Sequence, residues 1–211
     1  MLRLCFALFA LTLLASGTLL AQNRVRTESI RRPPAASSPA PSTKLEADAH
    51  VASDLSAAPD ISSDLALLPP AVARTRERIL AAARTGDLQQ LVTLMQASDP
   101  MPVFSFTEDK DPIAFWKASY PDSAGIEVLS ILITILETGY VHADIGTAQE
   151  IYLWPYFTRL KLEALTPEQK VELFRIVTGG DYKDMIEFGA YSFYRLGIAP
   201  DGTWHFFVSG D

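Results

Sequence analysis

Residues 140–157, YVHADIGTAQEIYLWPYF, decide how this chain is to be read. After Gly139 the apolar period drops to two: YVHAD, a turn at IGT, then QEIYLWPYF. Alternation at that period predicts an antiparallel hairpin. Just upstream, Ile126 to Leu136 is apolar on nearly every side, which predicts a buried central helix too short to cross a bilayer. Its Ile and Val content leaves a buried strand as the alternative. Downstream, Thr166-Pro-Glu-Gln169 forms a capping box ahead of VELFRIVT, with Gly179-Gly180 as the stop and Asp181 as the cap of a further short helix. The chain then turns to strands, YSFYRLG and TWHFFVSG, joined through Pro200-Asp201-Gly202.

Moving further out, Pro69-Pro70 leads into AVARTRERILAAARTG, a helix with Gly86 as its stop. Asp87 caps a second helix on which Leu88, Leu91, Val92 and Met95 follow helical spacing, so the pair reads as a helical hairpin. Val103 to Phe106 is a strand candidate, and Asp111 precedes a short helix carrying Phe115 and Trp116. Helices and antiparallel hairpins are segregated along the chain, so the expected class is α+β: an N-terminal helical hairpin and a buried central helix packed on antiparallel hairpins.

Composition divides the 211 residues into three unlike pieces. Residues 1–21, MLRLCFALFALTLLASGTLLA, have the layout of a secretory signal peptide cut after Ala21; retention as a membrane anchor is the alternative. Residues 22–70 are read as a disordered linker. From Pro33 to Pro70, 23 of 38 residues are Ala, Ser or Pro and none is aromatic or Gly, too little apolar surface to offset ordering entropy. Residues 71–211 are the globular domain, and they hold 19 of the 21 aromatic residues. The expected location is periplasmic or secreted. Arg24, Arg26, Arg31 and Arg32 would meet anionic headgroups only if the apolar segment stayed in a membrane.

The net charge is -7, from 18 basic and 25 acidic side chains, which argues against nucleic acid as a partner. Cys5 is the single cysteine and lies in the export segment, so disulfides and thiol catalysis are not expected. No Gly-rich phosphate loop and no Rossmann fingerprint is present, and no cofactor is expected. The WPYF stretch at 154–157 and the ending DGTWHFFVSGD at 201–211 resemble an uncharacterised family of exported Gram-negative bacterial proteins. That resemblance implies export and one compact domain; it carries no activity and no catalytic residue.

Three surfaces stand out. Tyr152, Trp154 and Tyr156 fall on one face of an extended segment, and Pro155 pushes that strand toward a sheet edge. Such rings, with Trp204 as a neighbour, suit an envelope glycan, peptide or protein; the alternative is that they pack beneath a helix. His142 and Asp144 share a strand face, and with His205 they form a candidate site of two His and one carboxylate for metal-assisted hydrolysis. No Ser in a Gly-x-Ser-x-Gly elbow and no Cys accompanies them as a nucleophile. The last hairpin carries rings on both faces, with Tyr191, Phe193 and Arg195 on one side of its first strand and Trp204, Phe206 and Val208 on one side of its second. It is therefore either covered twice or free to act as an assembly interface. The acidic loop of Glu108, Asp109 and Asp111 lacks the Gly and terminal Glu of a calcium loop and reads as a solvated turn. The functional expectation is a non-catalytic binding or accessory module of the cell envelope.

Overall fold

A computed structural model describes residues 60–210. The expected export segment, the expected cut after Ala21 and the stretch from 22 to 59 lie outside the described residues. In chain order the elements are β1 (Asp60–Ser62), α1 (Pro70–Arg84), α2 (Leu88–Gln96), α3 (Pro112–Ser119), α4 (Glu127–Leu136), β2 (Tyr140–Ala143), β3 (Ile151–Trp154), α5 (Pro167–Leu173), α6 (Gly179–Phe188), β4 (Arg195–Ile198) and β5 (Trp204–Val208). The class is α+β. The five strands form one antiparallel sheet in sequential order, β1-β2-β3-β4-β5. Among the described residues no helix is long and apolar enough to cross a membrane.

Local chemistry explains where the helices begin. The Asp87 carboxylate accepts from the Gln89 N–H at 2.9 Å to open α2. Asp111 does the same for α3 through the Ile113 and Ala114 N–H groups. Each interaction occupies a donor that the first helical turn leaves without a partner. The Thr166–Gln169 capping box forms as the sequence predicts. Gly179 and Gly180, expected to end a helix, instead begin α6. A second capping box is responsible, with Thr178 as the cap and Asp181 reaching back from the third helical position. Two small residues in the first turn leave room for that reciprocal bonding, and α6 ends at Gly189, whose φ is +89°.

Both faces of the sheet carry a core layer. Tyr140, Tyr152, Trp154, Leu196, Ile198, Trp204 and Phe207 point to one side and pack against Val72, Ile79 and Leu80 of α1, Leu91 and Met95 of α2, Trp116 of α3 and Leu129, Leu132 and Ile135 of α4. Val141, Ala143 and Leu153 point to the other side, beneath Phe157, Leu162, Leu173 of α5 and Met185 of α6. Helices thus lie on both sides of the sheet. The expected helical hairpin is α1–α2, and α4 is the central helix, buried through Val128, Leu129, Leu132, Ile135 and Leu136.

One polar group ties the first helical layer together. Arg76 on α1 is 6% exposed, and its Nε and Nη2 donate to the Leu136 carbonyl at 3.2 and 2.6 Å. That carbonyl belongs to the last turn of α4 and has no partner within its own helix.

Several expectations are corrected. The fold takes in residues assigned to the linker: β1 pairs with β2, and Leu68 is buried in the first core. Composition misses this because three paired residues and one leucine barely alter an Ala/Ser/Pro average. The strand expected at Val103 to Phe106 reduces to one bridge, in which the Val103 N–H donates to His205 O at 2.9 Å and Val103 O accepts from the Phe207 N–H at 2.8 Å. Trp204, Phe206 and Val208 do not share a face, because a register shift opposite Gly197/Ile198 turns Trp204 into the first core and Phe206 into the second.

Candidate functional site

The residues expected to form an aromatic binding edge are core residues. β3 is the middle strand, paired with β2 on one side and β4 on the other, so it offers no free edge. Pro155 interrupts no ladder because it follows the last paired residue. Tyr152 and Trp154 lie under the first helical layer, 6% and 0% exposed. Tyr156 falls in a 3-10 turn after the strand and enters the second core instead, so the three rings do not share a face. Trp204 is buried as well, and its indole N–H donates to Phe206 O at 3.0 Å. Amphipathic rings serve a sheet covered on both faces as readily as a binding surface.

The expected metal triad does not assemble. His142 stands on β2 and His205 on β5, three strand steps apart in the sheet, or about 14 Å at ordinary strand spacing. His142 stacks on Tyr152 at 4.2 Å, and its Nε2 lies 2.8 Å from Glu150 Oε1. Asp144 adopts a left-handed φ of +56° and accepts from Arg159 Nη2 at 2.7 Å. Among the described residues no group of three His, Cys, Asp or Glu side chains is placed to hold a metal ion.

A different site does assemble on the second face of the sheet. The covering layer rests on Val141, Ala143 and Leu153, and beside it opens a groove of about 840 Å³ reaching Arg195 on β4 and His205 and Phe206 on β5. Its floor depends on Gly197. A Cβ there would stand 2.6 Å from both Ile151 Cδ1 and Phe206 Cζ, so the missing side chain is what lets those groups meet across the middle of the sheet. Ile151, Leu153 and Phe206 all line the groove.

The rim is built by two turns. In the β2–β3 loop, Glu150 Oε2 accepts from the Gly146 N–H at 2.9 Å while Oε1 faces His142. The Gly146 N–H first, and then His142, hold the Glu150 carboxyl below the usual carboxylate range. In the β4–β5 turn, Asp201 accepts from the Thr203 N–H at 2.8 Å, and that bond is the largest cause of its lowered pKa. Asp144 is paired with Arg159. Each carboxylate that borders the groove therefore already has a partner.

Arg195 does not. Among the described residues it forms no ion pair, and its guanidinium lies 5.8 Å from the centre of the Phe106 ring, itself 56% exposed. A ring at that distance attracts the guanidinium weakly and does not neutralise it. Sequence reasoning placed Arg195 on a strand face but saw no site there. The available signals were a glycine inside a strand at position 197 and a single basic residue between Lys183 and the end of the chain. One face of the terminal hairpin is thus taken up by the first core, and the other lines this groove. Comparison of the chain with protein-family models, with curated proteins and with solved structures finds no match.

Proposed function

We propose that this protein is an exported accessory module of the cell envelope that works by binding, and that its ligand lies in the groove on the second face of the sheet. Export rests on the layout of residues 1–21 and on the resemblance of the domain to exported bacterial proteins. The observation that carries the binding reading is Arg195, without an ion-pair partner among the described residues, beside the apolar groove residues Ile151, Leu153 and Phe206. A concave apolar surface with a few convergent polar groups is the usual form of a small-ligand site, and its volume lies within the roughly 300–1,000 Å³ such sites occupy. The neighbouring carboxylates are engaged in ion pairs and backbone hydrogen bonds, which suits them to hold the rim in shape. The test is a backbone-amide NMR titration of the protein with a chemically mixed fragment set. Perturbed amides are expected to cluster in 144–151 and 195–206; perturbations confined to other surfaces, or none, would overturn the groove as the site.

A further inference from the structure

We infer that the ligand of this groove is a small amphipathic carboxylate: an apolar body on the Ile151–Leu153–Phe206 floor and a carboxylate held by Arg195. The inference rests on the groove being the binding site and goes on to name the chemistry it selects.

Charge is the first ground. Among the charged groups lining the groove, Asp144 and Arg159 cancel each other at 2.7 Å. Glu150 is held by the Gly146 N–H and His142, and Asp201 by the Thr203 N–H. Glu150 and Asp201 keep their charge but are held at the rim, and among the described residues no carboxylate lies within ion-pairing distance of Arg195. A neutral ligand would leave the Arg195 guanidinium unpaired as the groove loses water. An anionic ligand supplies the missing partner.

Geometry is the second. A guanidinium 5.8 Å from an aromatic ring centre still offers the N–H groups of its fork, and the fork matches the two coplanar oxygens of a carboxylate. The apolar floor is the third. It begins at Gly197, two residues along the same strand, so an anion at Arg195 would have its apolar body over Ile151 and Phe206.

The test uses the full-length protein and matched probes: octanoate and 4-phenylbutyrate, their uncharged primary amides, and octylammonium, each titrated by calorimetry and by amide NMR. Both carboxylates are expected to bind in the groove at least roughly tenfold more tightly than their amides, as charge-assisted hydrogen bonding implies, with octylammonium weaker still. Comparing octanoate with 4-phenylbutyrate tells whether the floor prefers an acyl chain or a ring. Arg195→Gln should bring carboxylate affinity down to that of the amide and leave amide affinity unchanged. Arg195→Lys should keep part of the preference, since it retains the charge and loses the fork. An unchanged thermal midpoint in Arg195→Gln separates loss of binding from loss of fold. Equal binding of carboxylates and amides in the groove, or octanoate affinity unaffected by Arg195→Gln, would overturn the carboxylate assignment and leave the groove as a site. Failure of every probe to perturb groove residues would overturn both.

Discussion

Arg76 shows how differently two contacts of one side chain count. Its Nη1 meets Glu77 Oε1 at 2.7 Å, but the Glu77 side chain is 64% exposed, and an ion pair at such a surface contributes little. Its other two contacts go to the buried Leu136 carbonyl, where no water can replace them. Burial lowers the Arg76 pKa, yet the guanidinium stays charged, because arginine starts far above any physiological pH. Arg76→Met is therefore expected to cost about 1.5–3 kcal/mol in urea denaturation, and Glu77→Ala under about 1 kcal/mol. Equal losses would show that the exposed pair, and not the helix-end cap, carries the contribution. Neither role is visible in ARTRERIL, where Arg74, Arg76 and Arg78 look equivalent; only the packing of α1 against α4 singles out the middle one.

Among the elements, the helix starts were the most legible. Asp87, Asp111 and Thr166 each bond an N–H two or three residues along, so the signal and its partner fall within one sequence window. The α6 start was missed although it has the same form, Thr178 with Asp181, because a Gly-Gly pair is the commoner sign of a stop. Strand faces were less legible. Alternation correctly pairs Tyr152 with Trp154, but it has no means of showing that β3 ends at Trp154 or that β5 shifts register beside Gly197. That glycine makes a sharp element-scale prediction. Gly197→Ala should destabilise the domain by about 1–3 kcal/mol, since the new methyl would displace Ile151 and Phe206 from a packed sheet. Urea denaturation measures the loss, and amide NMR should show the disturbance centred on the groove floor; a neutral substitution would mean that the floor is loosely packed.

For the molecule as a whole, two sets of ionisable groups bound the pH range of stability. Glu150, Glu168 and Asp201 have lowered carboxylate pKa values, chiefly through backbone hydrogen bonds. Their contribution is present above the unfolded carboxylate range, about pH 4, and is lost as pH falls through the folded values, where the folded state must take up protons that the unfolded chain already holds. Tyr120, Tyr156 and Tyr191 have raised values, chiefly through burial. Their contribution is intact below the ordinary tyrosine value of about 10 and is lost as pH rises beyond it, since the unfolded chain ionises first. Thermal midpoints measured across pH should therefore form a plateau with a fall on each side, and the alkaline limb should shrink in Tyr156→Phe. A midpoint still climbing above pH 10 would contradict the burial of these phenols.

What the sequence determined by itself was local and compositional: the α+β class, the helices and most of their caps, the two hairpins and the acidic, aromatic-rich character of the domain. These follow from periodicity and from hydrogen bonds that close within a few residues. What only the tertiary structure decided was which surfaces face solvent. Strand order placed β3 in the middle of the sheet, which turned Tyr152 and Trp154 from a candidate edge into core. The same order kept His142 and His205 three strands apart. It also brought Ile151, from the other hairpin, against Gly197 and Phe206 beside Arg195. The pairing of β3 with β4 joins distant segments, and no short window of the sequence contains both partners.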